Sequence, residues 1–248
     1  MIHYLLSENL KFKRTFSRKL IVVVPLFFLL FSFFTQQNLQ TEDHYFMEMV
    51  FNWWPLLFMT IGSALLSTLS NNKDRKAGGY RSLSSHGISI AKLWLSKIIV
   101  VSYYLLLSSL LLIAVMYLSG LLFPLGAAPL SEITTAAIVV WLTSLGMIPI
   151  YLFLAEQFGA VVSILTGLFG MIVSVLAADQ PSWIYVPWSW ALRLMCPIVG
   201  VRPNGVALSA QDALRDSSVI LPGIVVSLVF FLVTLTLTSC WFSRREVR

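Results

Sequence analysis

The residues best suited to hold a metal or act as nucleophiles are few and scattered. His3, His44 and His86 stand singly, and Cys196 and Cys240 lie far apart with no CxxC and no Cys/His cluster, so neither a metal site nor a redox motif is expected. Glu42 and Asp43 are paired carboxylates, but they fall in a polar stretch with no HExxH or GxSxG motif anywhere in the chain. A G-x-x-x-x-G-K-[ST] phosphate loop is also missing, and no polar stretch is long enough to fold a nucleotide-binding domain. The chain is therefore expected to catalyse nothing by itself and to hold no cofactor.

The chemistry that remains is docking. Asn71 to Lys97, NNKDRKAGGYRSLSSHGISIAKLWLSK, holds six of the seventeen Lys and Arg residues between two long apolar runs, with a turn signal at Gly78-Gly79. An element that inserts in a partner's groove needs apolar or aromatic anchors with charge at the rim. Tyr80 and Leu83 are the candidate anchors; Lys73, Arg75, Lys76 and Arg81 are the candidate rim. For Lys73 and Lys76 singly, fixing the orientation of the chain in a membrane is an equally sufficient role. A second cluster is aromatic: Trp53 and Trp54 open one apolar run, and Trp183, Trp188 and Trp190 lie in WIYVPWSW. Indoles of this kind anchor at a membrane–water interface, and they can also contact apolar parts of a ligand there. Glu42, Asp43 and Glu48 could attract a cationic ligand to the same side.

The elements that must position these residues are membrane spans. With 58% hydrophobic and 11% charged residues, against roughly 25% charged in a soluble domain, the chain is an integral membrane protein. Its net charge of +6 does not point to nucleic acid, because the cations sit at the ends of apolar runs and not along one polar face. Residues 1–19 suit an amphipathic helix along the membrane surface. Apolar runs predict spans at about 20–34, 50–70, 93–123, 133–155, 160–178 and 219–242, with Lys92 and Lys97 at the headgroups. Residues 71–92 form a cytosolic loop and 179–217 an outer, interface-lying loop region. Arg193, Arg202 and Arg215 are the three basic residues left outside by this arrangement, so both termini are expected in the cytosol. Glu156 sits in a tight turn, or just inside the membrane. An ion-coupled carrier would place ionisable residues within its spans, and Glu156 alone comes close.

Four stretches together resemble the E/G-type permease subunits of lantibiotic immunity ABC transporters: ENLKFKRTFSRKL before the first span, FNWWP opening the second, DRKAGGYRSLSSHGISIAKLWLSKI after it, and WSWALRLMCPIVGVRPNG before the last. The resemblance covers most of the chain, and the loop motif is its most specific part. It implies an all-α ABC-2 permease, type V exporter-like, with six transmembrane helices and an N-terminal interfacial helix. It also implies that the first cytosolic loop couples to a separate ABC ATPase. Two permeases, alike or paired as E and G types, would work with two ATPase copies that carry ATP and Mg, in a bacterial cytoplasmic membrane, to expel lantibiotic peptides. Two alternatives stand beside this: a non-transporting sensor or scaffold recruited through the same loop, and an ABC-2 exporter of another amphipathic or lipid substrate.

Overall fold

The computed structural model describes residues 1–13, 15–38, 45–76, 89–122 and 128–244. Among them the chain is all-α, with no strand beyond one isolated antiparallel bridge between Val201 and Ala207. Helix α1 (Ile2–Phe12) leads into α2 (Phe16–Asn38). The next rod is α3 (Tyr45–Trp53), a π-helical segment (Trp54–Gly62) and α4 (Ser63–Lys76). Then come α5 (Ile90–Leu122), α6 (Leu130–Ser144), α7 (Met147–Gln157), α8 (Ala160–Ala178), the short α9 (Ser189–Val199) and α10 (Ile220–Arg244).

Among the described residues, four helical stretches are long and apolar enough to cross a membrane: Phe46–Asp74, Ile90–Leu122, Ala160–Ala178 and Ser217–Arg244. A fifth is added if α6 and α7, bent by 41° at their junction, count as one broken span. Helix α5, at 33 residues, is about 50 Å long, more than one crossing of a hydrocarbon core of about 30 Å needs. It is the central post. Trp94, Ile98, Val101, Leu105 and Leu112 repeat every three, four or seven residues along its fully buried side, the spacing that keeps one helical stripe against its neighbours. Helices α8 and α10 are peripheral, with only 22% and 17% of their apolar windows buried.

Prolines shape two spans, and hydroxyls from neighbouring helices bond carbonyls beside both. A proline inside a helix lacks an N–H and crowds the carbonyl four residues back. Pro25 in α2 thus leaves the Ile21 carbonyl open, and the Ser108 hydroxyl of α5 donates to it at 2.9 Å. Pro149 sits opposite the Leu145 carbonyl, and the helix breaks there, at Leu145–Gly146, upstream of the proline itself. The Thr234 hydroxyl of α10 donates to the Gly146 carbonyl at 3.1 Å. A Cβ on Gly146 would lie 2.6 Å from the Phe230 ring, so α10 approaches the break closely because residue 146 has no side chain.

Candidate functional site

The bundle has two chemically distinct ends. At one end lie α1, the C-terminal end of α4, the N-terminal end of α5, the α7–α8 turn and the C-terminal end of α10. Here four charged side chains from three helices meet inside the protein. Lys97 of α5 and Asp74 of α4 are joined by a salt bridge, with side chains 0% and 5% exposed. Asp74 also accepts from Lys11 of α1 at 2.5 Å, and Lys11 reaches Glu8, one turn back and 0% exposed, at 2.5 Å. Lys73 donates to the Lys11 backbone carbonyl. The cluster holds two carboxylates and two ammoniums, so charge is balanced, as burial demands. Burial pushes the Glu8 carboxyl above its ordinary range, even with Lys97 and Lys11 beside it. Burial works against the Lys11 ammonium, but Glu8 and Asp74 outweigh it and hold the group above its usual range. Glu8 Oε2 has no hydrogen-bond partner among the described residues.

Apolar and polar contacts frame this cluster. Phe12 of α1 stacks on Tyr104 of α5 at 4.6 Å, and the Tyr104 hydroxyl donates to Asn9 Oδ1 at 2.5 Å. The Ser89 N–H donates to the Tyr4 hydroxyl at 3.1 Å. Glu156, at the end of α7, accepts from the Asn71 amide of α4 at 2.9 Å. The tight turn follows it, at Phe158 and Gly159, where Gly159 takes a φ of +92°. Trp94 stacks on Phe242 at 4.0 Å and donates to the Thr238 hydroxyl, fastening α10 to α5.

Lys97, near the start of α5, is fully buried against Asp74. The structure also corrects two sequence-based expectations. Glu156 is not alone among ionisable residues near the spans, because Asp74 and Lys97 lie within apolar helical stretches as well. Lys73 faces α1, and the loop begins later than expected, since α4 runs on to Lys76. The backbones of Arg75 and Lys76 belong to that helix. Tyr80, Arg81 and Leu83 lie outside the described residues, as do Glu42 and Asp43.

At the other end the tryptophans separate into classes. Trp53 is 45% exposed, whereas Trp54 and Trp190 are 0% and 2% exposed and offer no surface to a ligand in this conformation. Trp54 stacks on Phe58 at 4.4 Å. Trp190 donates to the Ile184 carbonyl and meets Phe230 edge-on. Trp188 is half-buried, donating to the Tyr151 hydroxyl at 3.0 Å, with Gly170 of α8 beneath its ring. Trp183, also half-buried, carries the Arg193 guanidinium 5.7 Å from its centroid, and Arg193 donates to the Leu214 carbonyl. Glu48 lies half-buried in the first turn of α3. Residues 200–219 are tied down as well: Arg202 pairs with Asp212, and the Asn52 amide of α3 donates to the carbonyls of Arg202 and Pro203 at 3.0 and 3.1 Å.

Apolar spans, a broken helix pair and a buried charge cluster at one end define a polytopic membrane protein, and the comparisons make this specific. The chain matches the family described as ABC-2 family transporter protein over residues 4–174, from α1 into α8, and it belongs to that family. No curated protein and no solved structure matches it. ABC-2 proteins are the membrane components of transporters; they typically lack an ATPase of their own and work with an ABC ATPase partner.

Proposed function

We propose that the chain is one permease of an ATP-driven exporter that removes lantibiotic-type peptides from the outer leaflet of a bacterial cytoplasmic membrane and returns them outside. The family match over residues 4–174 carries the transport part of this reading; the lantibiotic substrate follows from the resemblance of the loop and tryptophan-rich motifs. The chain crosses six times, through α2, α3–α4, α5, α6–α7, α8 and α10, with α1 along the cytosolic membrane surface and both termini in the cytosol. The loop joining α4 to α5 docks on the ATPase, with Tyr80 and Leu83 as anchors and Arg75, Lys76 and Arg81 at the rim. A second permease, of the same or a related type, and two ATPase copies complete the assembly. On the outer side, Trp53 is the indole with the most open surface for apolar parts of the peptide, and Glu42, Asp43 and Glu48 draw in its positive charge.

Expression of the chain with its ATPase in a lantibiotic-sensitive bacterium tests the reading. Raised tolerance of the peptide, with ATP turnover of the purified complex increased by the same peptide, is the expected result. An ATPase that responds to a lipid and not to peptide would move the substrate to another amphipath. A chain that binds no ATPase would be a sensor or scaffold. A cysteine label at Gln40 should react from outside and one at Ser84 only from the cytosol.

A further inference from the structure

Three buried charges and a half-buried fourth are a poor way merely to hold three helices together. Apolar side chains of similar volume in place of a buried ion pair are often neutral or stabilising, and the surrounding contacts at this end are already apolar and aromatic. The arrangement of the charges is more informative than their number. Asp74 lies two residues before the end of α4, at one root of the loop that joins α4 to α5; Lys97 lies about two turns into α5, above the other root. Their salt bridge ties the two roots to each other. Asp74 uses its second oxygen for Lys11, and Lys73 grips the Lys11 carbonyl, so α1 is fastened to the same point by side chain and backbone. Glu8 sits on the inner side of α1 and holds Lys11 from behind. Beside these bonds and those to Tyr104 and Ser89, α1 is held by apolar packing, such as Phe12 on Tyr104, which has no strong directional preference.

We propose that Glu8, Lys11, Asp74 and Lys97 are positioning residues that lock α1 to both roots of the α4–α5 loop, so that force applied to the loop moves α1, α4 and α5 as one body. The inference rests on the reading that this loop docks an ATPase. In the buried site the ion pairs are little screened by water or salt, so the joint is stiff and directional where apolar contacts would allow sliding. Helix α1 is thereby a working part of the coupling unit, and its outward residues Ile2, Leu6 and Leu10, all exposed, carry the motion to whatever surface they lie on.

The decisive variant is Asp74→Leu with Lys97→Met. It removes the charged joint but leaves Lys11 paired with Glu8 and substitutes apolar volume, so folding should survive. The expected result is normal membrane content and full ATPase co-purification, with peptide protection down about tenfold or more and ATP turnover no longer responding to peptide. Lys11→Met should act likewise, while Lys11→Arg, which keeps the charge, should preserve protection. Protection that stays normal in the double variant, or that falls only in step with protein content, overturns the proposal. If the double variant does not accumulate, Glu8→Gln with Lys11→Met decides: it cuts α1 from Asp74 while removing both charges of the α1 pair, so Asp74 keeps Lys97 and no buried charge is left unpaired. A wild-type chain that captures no ATPase would defeat the docking reading itself and this inference with it, whereas an intact complex with indifferent variants defeats the inference alone.

Discussion

Replacing Gly170 with alanine tests whether Trp188 is a packed internal residue or a free interfacial anchor. An added Cβ at this position would lie 2.2 Å from both Cδ1 and Nε1 of Trp188, where ordinary contact begins at 3.4 Å. The indole must therefore back away by about 1.2 Å, which breaks the 3.0 Å bond from its N–H to the Tyr151 hydroxyl. Overpacking of this kind costs about 1–3 kcal/mol and the lost hydrogen bond about 1 kcal/mol. Alanine returns about 1 kcal/mol through helix propensity. The net expectation is a loss of about 2 kcal/mol, measured as resistance of the purified protein to unfolding in bilayer-mimetic detergent. The same substitution made on a Trp188→Leu chain should cost almost nothing, because the clash is gone. Equal costs in the two backgrounds, or no cost in either, would show that Trp188 does not rest on α8 as described.

Other outcomes follow from the same packing. Trp190→Ala empties a buried site and should cost about 3–5 kcal/mol, while Trp53→Ala, at an exposed position, should change stability by less than about 0.5 kcal/mol yet lower peptide protection; unfolding and tolerance assays on both variants separate the two effects. Thr234→Val leaves the Gly146 carbonyl without the hydroxyl now bonded to it and should destabilise the broken span by about 1–3 kcal/mol, seen by unfolding in detergent. The Leu214 N–H and then Arg202 hold the Asp212 carboxyl below its ordinary 3.8. A depressed carboxyl stabilises fully above its unfolded value and loses that contribution as pH falls through the folded one. Protection factors in residues 200–219, that is, exchange corrected for its intrinsic pH dependence, should therefore stay flat from neutral pH down to about 3.8 and fall only below it, and Asp212→Asn should show the lowered protection already at neutral pH.

Several long apolar helices were legible because an apolar run of that length can satisfy its backbone only as a helix: residues 160–178 and the α8 bounds coincide, and α5 and α10 differ from expectation by a few residues. Where the chain bends was less legible. Pro149 was visible, but the break falls four residues earlier, since a proline disturbs the carbonyl behind it. The charge cluster escaped the sequence reading because cations next to apolar runs are normally headgroup anchors. Its signals were present all the same. Asp74 is the sole acid within Asn71 to Lys97, and Lys97 is embedded in WLSKIIVV with no polar flank beyond it. The tryptophans could not be sorted from sequence for a related reason: composition marks an aromatic segment, while only packing tells that Trp54 and Trp190 turn inward and Trp53 outward.

The central claim is that this chain couples to an ABC ATPase through the loop between α4 and α5. Capture of the ATPase by affinity-tagged chain, compared between wild type and a Tyr80→Ala, Leu83→Ala variant at equal membrane content, tests it most directly. Loss of two anchors at the centre of a small interface removes about 2–4 kcal/mol, so wild type should retain the ATPase through washing and the variant should release it and lose protection, with unchanged topology. An ATPase held equally by both, together with full protection, would contradict the account and move the coupling surface to the Glu156–Gly159 turn.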